Sequence, residues 1–215
     1  MKRALAVVAA ALAVGACQGP QGAAPAKPAT PQSVTLQPGD VPGMQQCSSS
    51  GDVDSVLASE KIAGSPSWDR NATEWEQWRR QGATDAYFAV YGTSRADCTA
   101  ASEAGTGAPR GGVMVGLVVL FKNTTVAAAN YRRDSTLMGL GPQDIRFIEL
   151  AGGMTTFGAA TGLGPASVIG SGRVAGTNYF VAMWQNKRFE TNFLSYDVSA
   201  YDADQAVLSM NRRIV

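Results

Sequence analysis

Apolar positions along this chain follow two periods, and these divide it into strands and helices. Val113–Phe121 (VMVGLVVLF) is apolar almost throughout, which predicts a strand covered on both faces. Residues 86–91 (AYFAVY), 179–184 (YFVAMW) and 189–198 (FETNFLSYDV) are aromatic and β-branched, and the last two form a hairpin around 185–188. Residues 145–150 (IRFIEL) alternate and predict a further strand, and 44–47 a short extended piece. Helical spacing instead marks 52–61, through Val53, Val56 and Leu57, and a segment opening on Asn71-Ala72-Thr73-Glu74, which has the form of an N-cap. That segment carries Trp75 and Trp78 on one face and ends at Gly82. Two more helices are predicted at 124–138 and 203–214, the second with Ala206, Val207, Met210 and Ile214 on one stripe. Residues 92–112 and 151–176 are Gly-rich and predict loops, the second with one or two short extended pieces.

This order predicts an α+β fold: an antiparallel sheet of four or more strands with helices packed mainly on one face. A candidate repeat lies within it. Strands 86–91 and 113–121 with helix 124–138 match strands 179–184 and 189–198 with helix 203–214. Chance is the alternative, because ββα is a common local order.

The N-terminus has a different pattern. Lys2 and Arg3 precede an apolar run at 4–14, then Val14-Gly15-Ala16-Cys17. The run is too short to span a bilayer, and its flanks are those of a cleaved export signal. The cysteine behind small residues resembles the lipobox of bacterial lipoproteins. That resemblance implies cleavage before Cys17, a lipid on Cys17 and anchorage on the outer side of the plasma membrane or to an outer membrane. An ordinary secretory signal with a chance cysteine is the alternative. Residues 18–33 (QGPQGAAPAKPATPQS) lack large apolar side chains and read as an extended tether of up to about 50 Å. The domain plan is therefore a signal peptide at 1–16, a lipidated Cys17 and linker at 17–33, and one globular domain at 34–215.

Charge and composition narrow the functions. The formal net charge is +1, and loss of Lys2 and Arg3 makes it −1, so nothing here favours nucleic acid or a polybasic membrane contact. The chain contains 0 histidines, which removes Ser-His and Cys-His nucleophile pairs and most zinc and copper site types. With Cys17 assigned to lipid, Cys47 and Cys98 remain on the exported side and suggest one disulfide, with two buried thiols as the alternative. Gly162-Leu163-Gly164-Pro165 lacks the third glycine of a dinucleotide loop and reads as a turn. The pairs Asp52/Asp54 and Asp202/Asp204 sit at predicted helix starts without a calcium-loop pattern. Glu74 and Glu76 point apart on a helix and make a poor carboxylate pair. No cofactor or metal is expected.

Over residues 75–215, the order W..GA..AYF.VY, VVLF...AAANY and YFVAMW..KRFETNFLSYD...DADQAVLSMNRRI resembles small exported lipoprotein domains. These include the extracellular sensor-type domains attached to some bacterial Ser/Thr kinases. The resemblance implies an α+β domain that binds something, without catalytic residues. The expected function is a lipid-anchored extracytoplasmic binding or sensor module for an unknown small apolar ligand. The alternative is a structural or assembly partner of an envelope protein complex; a carboxylate-based hydrolase stands third. Trp68, Trp75, Trp78 and Tyr87 are the ligand-contact candidates, although the tryptophan spacing also suits a buried helix face.

Overall fold

The computed structural model describes residues 28–102 and 111–214. Cys17, the segment before it and most of the 18–33 tether lie outside the described residues. So does 103–110 of the long loop. The strands are β1 (Gln45–Gln46), β2 (Gly51–Asp52), β3 (Ala83–Gly92), β4 (Val113–Phe121), β5 (Met154–Phe157), β6 (Ser167–Val174), β7 (Thr177–Asn186) and β8 (Phe189–Tyr196). They form one antiparallel sheet in the order β1-β3-β4-β8-β7-β6-β5, with β2 also paired to β3. The helices are α1 (Pro31–Val34), α2 (Val53–Ala63), α3 (Trp68–Arg80), α4 (Arg95–Ser102), α5 (Thr124–Tyr131), α6 (Pro142–Leu150) and α7 (Ala200–Arg212).

Two cores follow from the pleat of β4, whose successive side chains point to opposite faces. Val113, Val115, Leu117, Val119 and Phe121 enter one core, covered by α2, α3, α4, α5 and α6. Met114 and Val118 enter the other, covered by α1 and α7 through Val34, Ala206, Val207 and Met210. The α+β expectation holds, with five helices on one face and two on the other among the described residues. Gly116 is what lets the second core close. A Cβ there would lie 3.1 Å from Thr35 Oγ1 and 3.2 Å from Leu36 Cγ, tighter than ordinary contact. The start and end of the described chain are clamped on that same face. Arg213, just past α7, gives its Nη2 to Asp40 Oδ2 (2.6 Å), Val34 O (3.1 Å) and Thr35 O (2.8 Å).

Cys47 and Cys98 form a disulfide with a Cα–Cα distance of 5.3 Å, tying the end of β1 to α4. The hairpin is also present: Asn186 pairs with Phe189 around Lys187-Arg188, and Lys187 sits at φ 50.

Several expectations are corrected. Residues 145–150 are helical, within α6. Pro142 starts the helix and Asp144 caps it by accepting from Gly141 N (2.9 Å), while Ile145 and Ile148 face the core at helical spacing. Asn71 is not an N-cap; α3 begins at Trp68, and Asn71 is buried inside it, donating to both carboxylate oxygens of Glu60 at 3.1 Å. The 92–112 stretch holds α4, opened by Ser94 and Asp97, whose side chains bond at 2.6 Å. The helix expected at 124–138 ends at Tyr131. Ordered structure begins before Val34, since α1 starts at a buried Pro31. The ββα order occurs twice, but α5 and α7 cover opposite faces. No rotation that superposes the two hairpins superposes their helices.

Candidate functional site

Between α5, α6 and the β5–β7 end of the sheet lies a cleft of about 640 Å³, within the size range of small-molecule sites. Ile145 from α6, Phe157 from β5, Val168 from β6 and Met183 from β7 give it apolar walls. Gly170 lets α6 settle close to β6, because a Cβ there would meet Ile145 Cδ1 at 3.3 Å. Polar groups sit at the opening: Asp134 and Arg146 face each other at 3.9 Å, both well exposed, beside Glu149. Tyr131 closes the α5 side and its hydroxyl donates to Met183 O at 3.4 Å. Burial pushes the Tyr131 hydroxyl up to about 12, with the Glu190 and Asp134 carboxylates adding to the shift.

Behind Tyr131 and Met183 the apolar core is interrupted. Glu190, Asn192 and Asn130 are 2%, 1% and 0% exposed. The alternation of β8 places Glu190 and Asn192 on the α5 side of the sheet with Leu194, and Asn192 is the cross-strand partner of Met183. Asn130 Nδ2 donates to Glu190 Oε2 at 3.0 Å. Burial raises the Glu190 carboxyl to about 8, only partly opposed by the Asn130 hydrogen bond, so it is mostly protonated at neutral pH. Asn192 Nδ2, Asn192 Oδ1 and Asn130 Oδ1 have no hydrogen-bond partner among the described residues. A buried polar group left unpaired costs about 1–3 kcal/mol, so this cluster weakens the core it occupies.

The four aromatic candidates do not meet at one site. Trp78 is fully buried, its Nε1 donating to Thr136 O at 3.1 Å and its ring 5.9 Å from Phe121. Trp75 is 4% exposed and donates to Asp54 Oδ1 at 3.0 Å. Trp68 is half-buried beneath Lys61, whose Nζ lies 4.9 Å from the ring centre. Tyr87 packs on the other face of the sheet, with the α7 core. Glu74 is half-buried and Glu76 pairs with Arg80 at 3.4 Å, so these two do not converge either. Asp52 and Ser199 instead cap helices, accepting from Ser55 N and Asp202 N. Among the described residues no group of three or more His, Cys, Asp or Glu is placed to hold a metal, and no helix is long and apolar enough to cross a membrane.

The cleft residues were not visible in the sequence because they come from five separate segments. Glu190 and Asn192, by contrast, stand at core-facing positions of the buried strand FETNFLSY, where the sequence itself shows polar residues out of place.

No protein-family model and no curated protein matches this chain. Among solved structures, it is similar to the crystal structure of the extracellular domain of PknH from Mycobacterium tuberculosis, at 13% identity and a TM-score of 0.44. That match covers 87% of this chain and 97% of the other. A likeness of that degree carries no argument about function.

Proposed function

We propose that this chain is a lipid-anchored extracytoplasmic binding module whose cleft between α5, α6 and β5–β7 takes a small, mainly apolar ligand. The observation that carries this reading is the cleft itself, a recess walled by Ile145, Phe157, Val168 and Met183 with Asp134, Arg146 and Glu149 among its other lining residues. The Cys47–Cys98 disulfide supports an oxidising compartment, and the lipobox-like residues ending at Cys17 support anchorage. In this reading the protein has no catalytic role and needs no cofactor. Its contacts are a membrane, through the lipid on Cys17, and the ligand. The test is native mass spectrometry of the full chain taken from the exported fraction in mild detergent. A reproducible adduct beyond the lipid on Cys17, lost on solvent extraction, is expected. A clean mass with no adduct counts against the reading.

One observation favours a second reading, an assembly partner of an envelope protein. Leu150, Met154 and Phe157, at 90%, 75% and 61% exposed, lie at the end of α6 and along the edge strand β5 that follows it. Crosslinking in intact cells from this edge, followed by identification of the attached peptide, separates the two. A single partner, crosslinked stoichiometrically, favours assembly.

A further inference from the structure

We infer that β5 pairs with β5 of a second copy of this chain, antiparallel about a two-fold axis at Thr155, so that two sheets join into one. The inference names the partner for the assembly reading above and does not depend on the cleft.

The edge itself asks for a partner strand. Among the described residues β5 has β6 on one side and no strand on the other. Natural edges of that kind are guarded by charge, proline or a bulge. MTTF has none of these: its register with β6 runs without a shift, and Met154 and Phe157 stay 75% and 61% exposed.

Charge then selects the partner. No Asp, Glu, Lys or Arg occurs from residue 150 to 172, so β5 and most of β6 are uncharged. A different protein is steered and told apart through complementary charge, which this margin lacks. A two-fold contact sets a surface against itself, where any charge near the axis would be repelled by its own copy. Here there is none to repel. Residues 18–27 of the same chain make a poor substitute, because Pro20 and Pro25 lack the N–H that a ladder needs.

The pleat fixes the register. Thr155 and Phe157 lie opposite Gly170 and Val168 on the face that α6 covers, and Met154 and Thr156 lie on the other face. A two-fold axis between antiparallel edge strands stands perpendicular to the sheet and keeps α6 on the same side in both copies. Directly opposed residues share a face, so the axis must pass at a residue and not between two. At Thr156 the ladder would need Gly158, which at φ 64 has already left the strand for a 3-10 turn. At Thr155 it needs Gly153 instead. Phe157 of each copy then stands beside the turn that follows the exposed Leu150 of the other, and Met154 opposes Thr156.

The test uses the full chain in mild detergent, with micelles in excess over chains and the unsubstituted chain as the oxidation control. Under mild oxidation Thr155→Cys is expected to give a disulfide-linked species of twice the mass, since a residue on the axis lies about 4.5–5.5 Å from its copy. Thr156→Cys, offset from its copy by two positions along the strand, lies beyond about 7 Å and should stay single. On sedimentation the unsubstituted chain should dimerise. Thr155→Lys, which sets two ammonium groups face to face, should weaken the dimer at least about tenfold.

A single-chain mass at every concentration up to about 100 μM overturns the inference. So does a dimer that Thr155→Lys leaves intact, or one that Thr156→Cys traps as readily as Thr155→Cys. A different protein as the sole species crosslinked to this edge in intact cells also overturns it, and leaves the assembly reading standing. Should a Thr155 variant fail to fold, sedimentation of the unsubstituted chain against Thr156→Lys decides.

Discussion

The two ends of the sheet are built to different specifications. At the β1 end the edge strand is two polar residues, Gln45 and Gln46, fixed by the neighbouring Cys47–Cys98 bridge. Behind it α3 docks Trp75 and Trp78 into a core with every indole N–H paired. At the β5 end the edge strand MTTF carries neither charge nor proline, its large apolar side chains are exposed, and the helix above it leaves a cleft. A short polar edge is how natural sheets resist edge-to-edge pairing, and an apolar unguarded edge is what they ordinarily avoid. The same sheet therefore ends in a short polar edge beside a disulfide on one side and in an exposed apolar edge on the other.

The sharpest way to break this comparison is to cut equivalent side chains from both ends. Trp78→Ala should cost up to about 5 kcal/mol, the upper range for emptying a buried tryptophan site. Phe157→Ser at the other end should stay within about 0.5 kcal/mol. Denaturant midpoints at constant m-value measure both, and a comparable loss at Phe157 would sink the contrast.

Removing the bridge tests the same end differently. With its cysteines 51 positions apart, the Cys47→Ser/Cys98→Ser double variant should lose about 4 kcal/mol in the chain-entropy model. Hydrogen exchange should then accelerate first in β1 and β3.

Titration probes the weak region. An unfolded Glu190 releases its proton near 4.5, whereas the folded one keeps it to about 8. The folded state thus binds more protons across that window, and stability falls as pH rises through it, by at most about 1.4 kcal/mol per pH unit. Asp144, raised by burial to about 6 against the opposing Gly141 amide bond, adds a loss of the same sign between 3.8 and 6. Glu190→Gln should therefore flatten the profile between pH 6 and 8 while leaving the fall below 6. An unchanged slope above pH 6 would show that Glu190 is not buried as described.

The smallest effect is expected at the edge itself. Thr156→Lys on β5 should change stability by less than about 0.5 kcal/mol. It should, however, reduce any crosslinking through that strand, since a lysine guards an edge against pairing.

How much of this was legible depended on whether local pattern and tertiary position agreed. Val113–Phe121 was found to the residue because an interior strand covered on both faces leaves no alternative period. IRFIEL was misread because Ile145, Phe147 and Glu149 alternate, while the pair that packs is Ile145 and Ile148. Pro142 and Asp144 are the helix-start signals there, outweighed in the sequence by the alternation of IRFIEL. Of the aromatic candidates, Trp75 and Trp78 serve the alternative read from their spacing, a buried helix face. The cleft was illegible for another reason. Its walls come from α5, α6, β5, β6 and β7, and only the fold brings them together.

The Arg213 clamp has a mechanical consequence. Tension entering from residue 28 does not arrive at an edge strand, where it could unzip the sheet one rung at a time. It meets Asp40 and the Val34 and Thr35 carbonyls held on one guanidinium, with Thr35 Oγ1 donating to Gly116 O at 3.4 Å on interior strand β4. The pull is therefore shared between α7 and the middle of the sheet, and several bonds must shear together before anything yields. A pull on residue 28 is thus taken up near the centre of the sheet, and the apolar edge at the far end lies outside that load path.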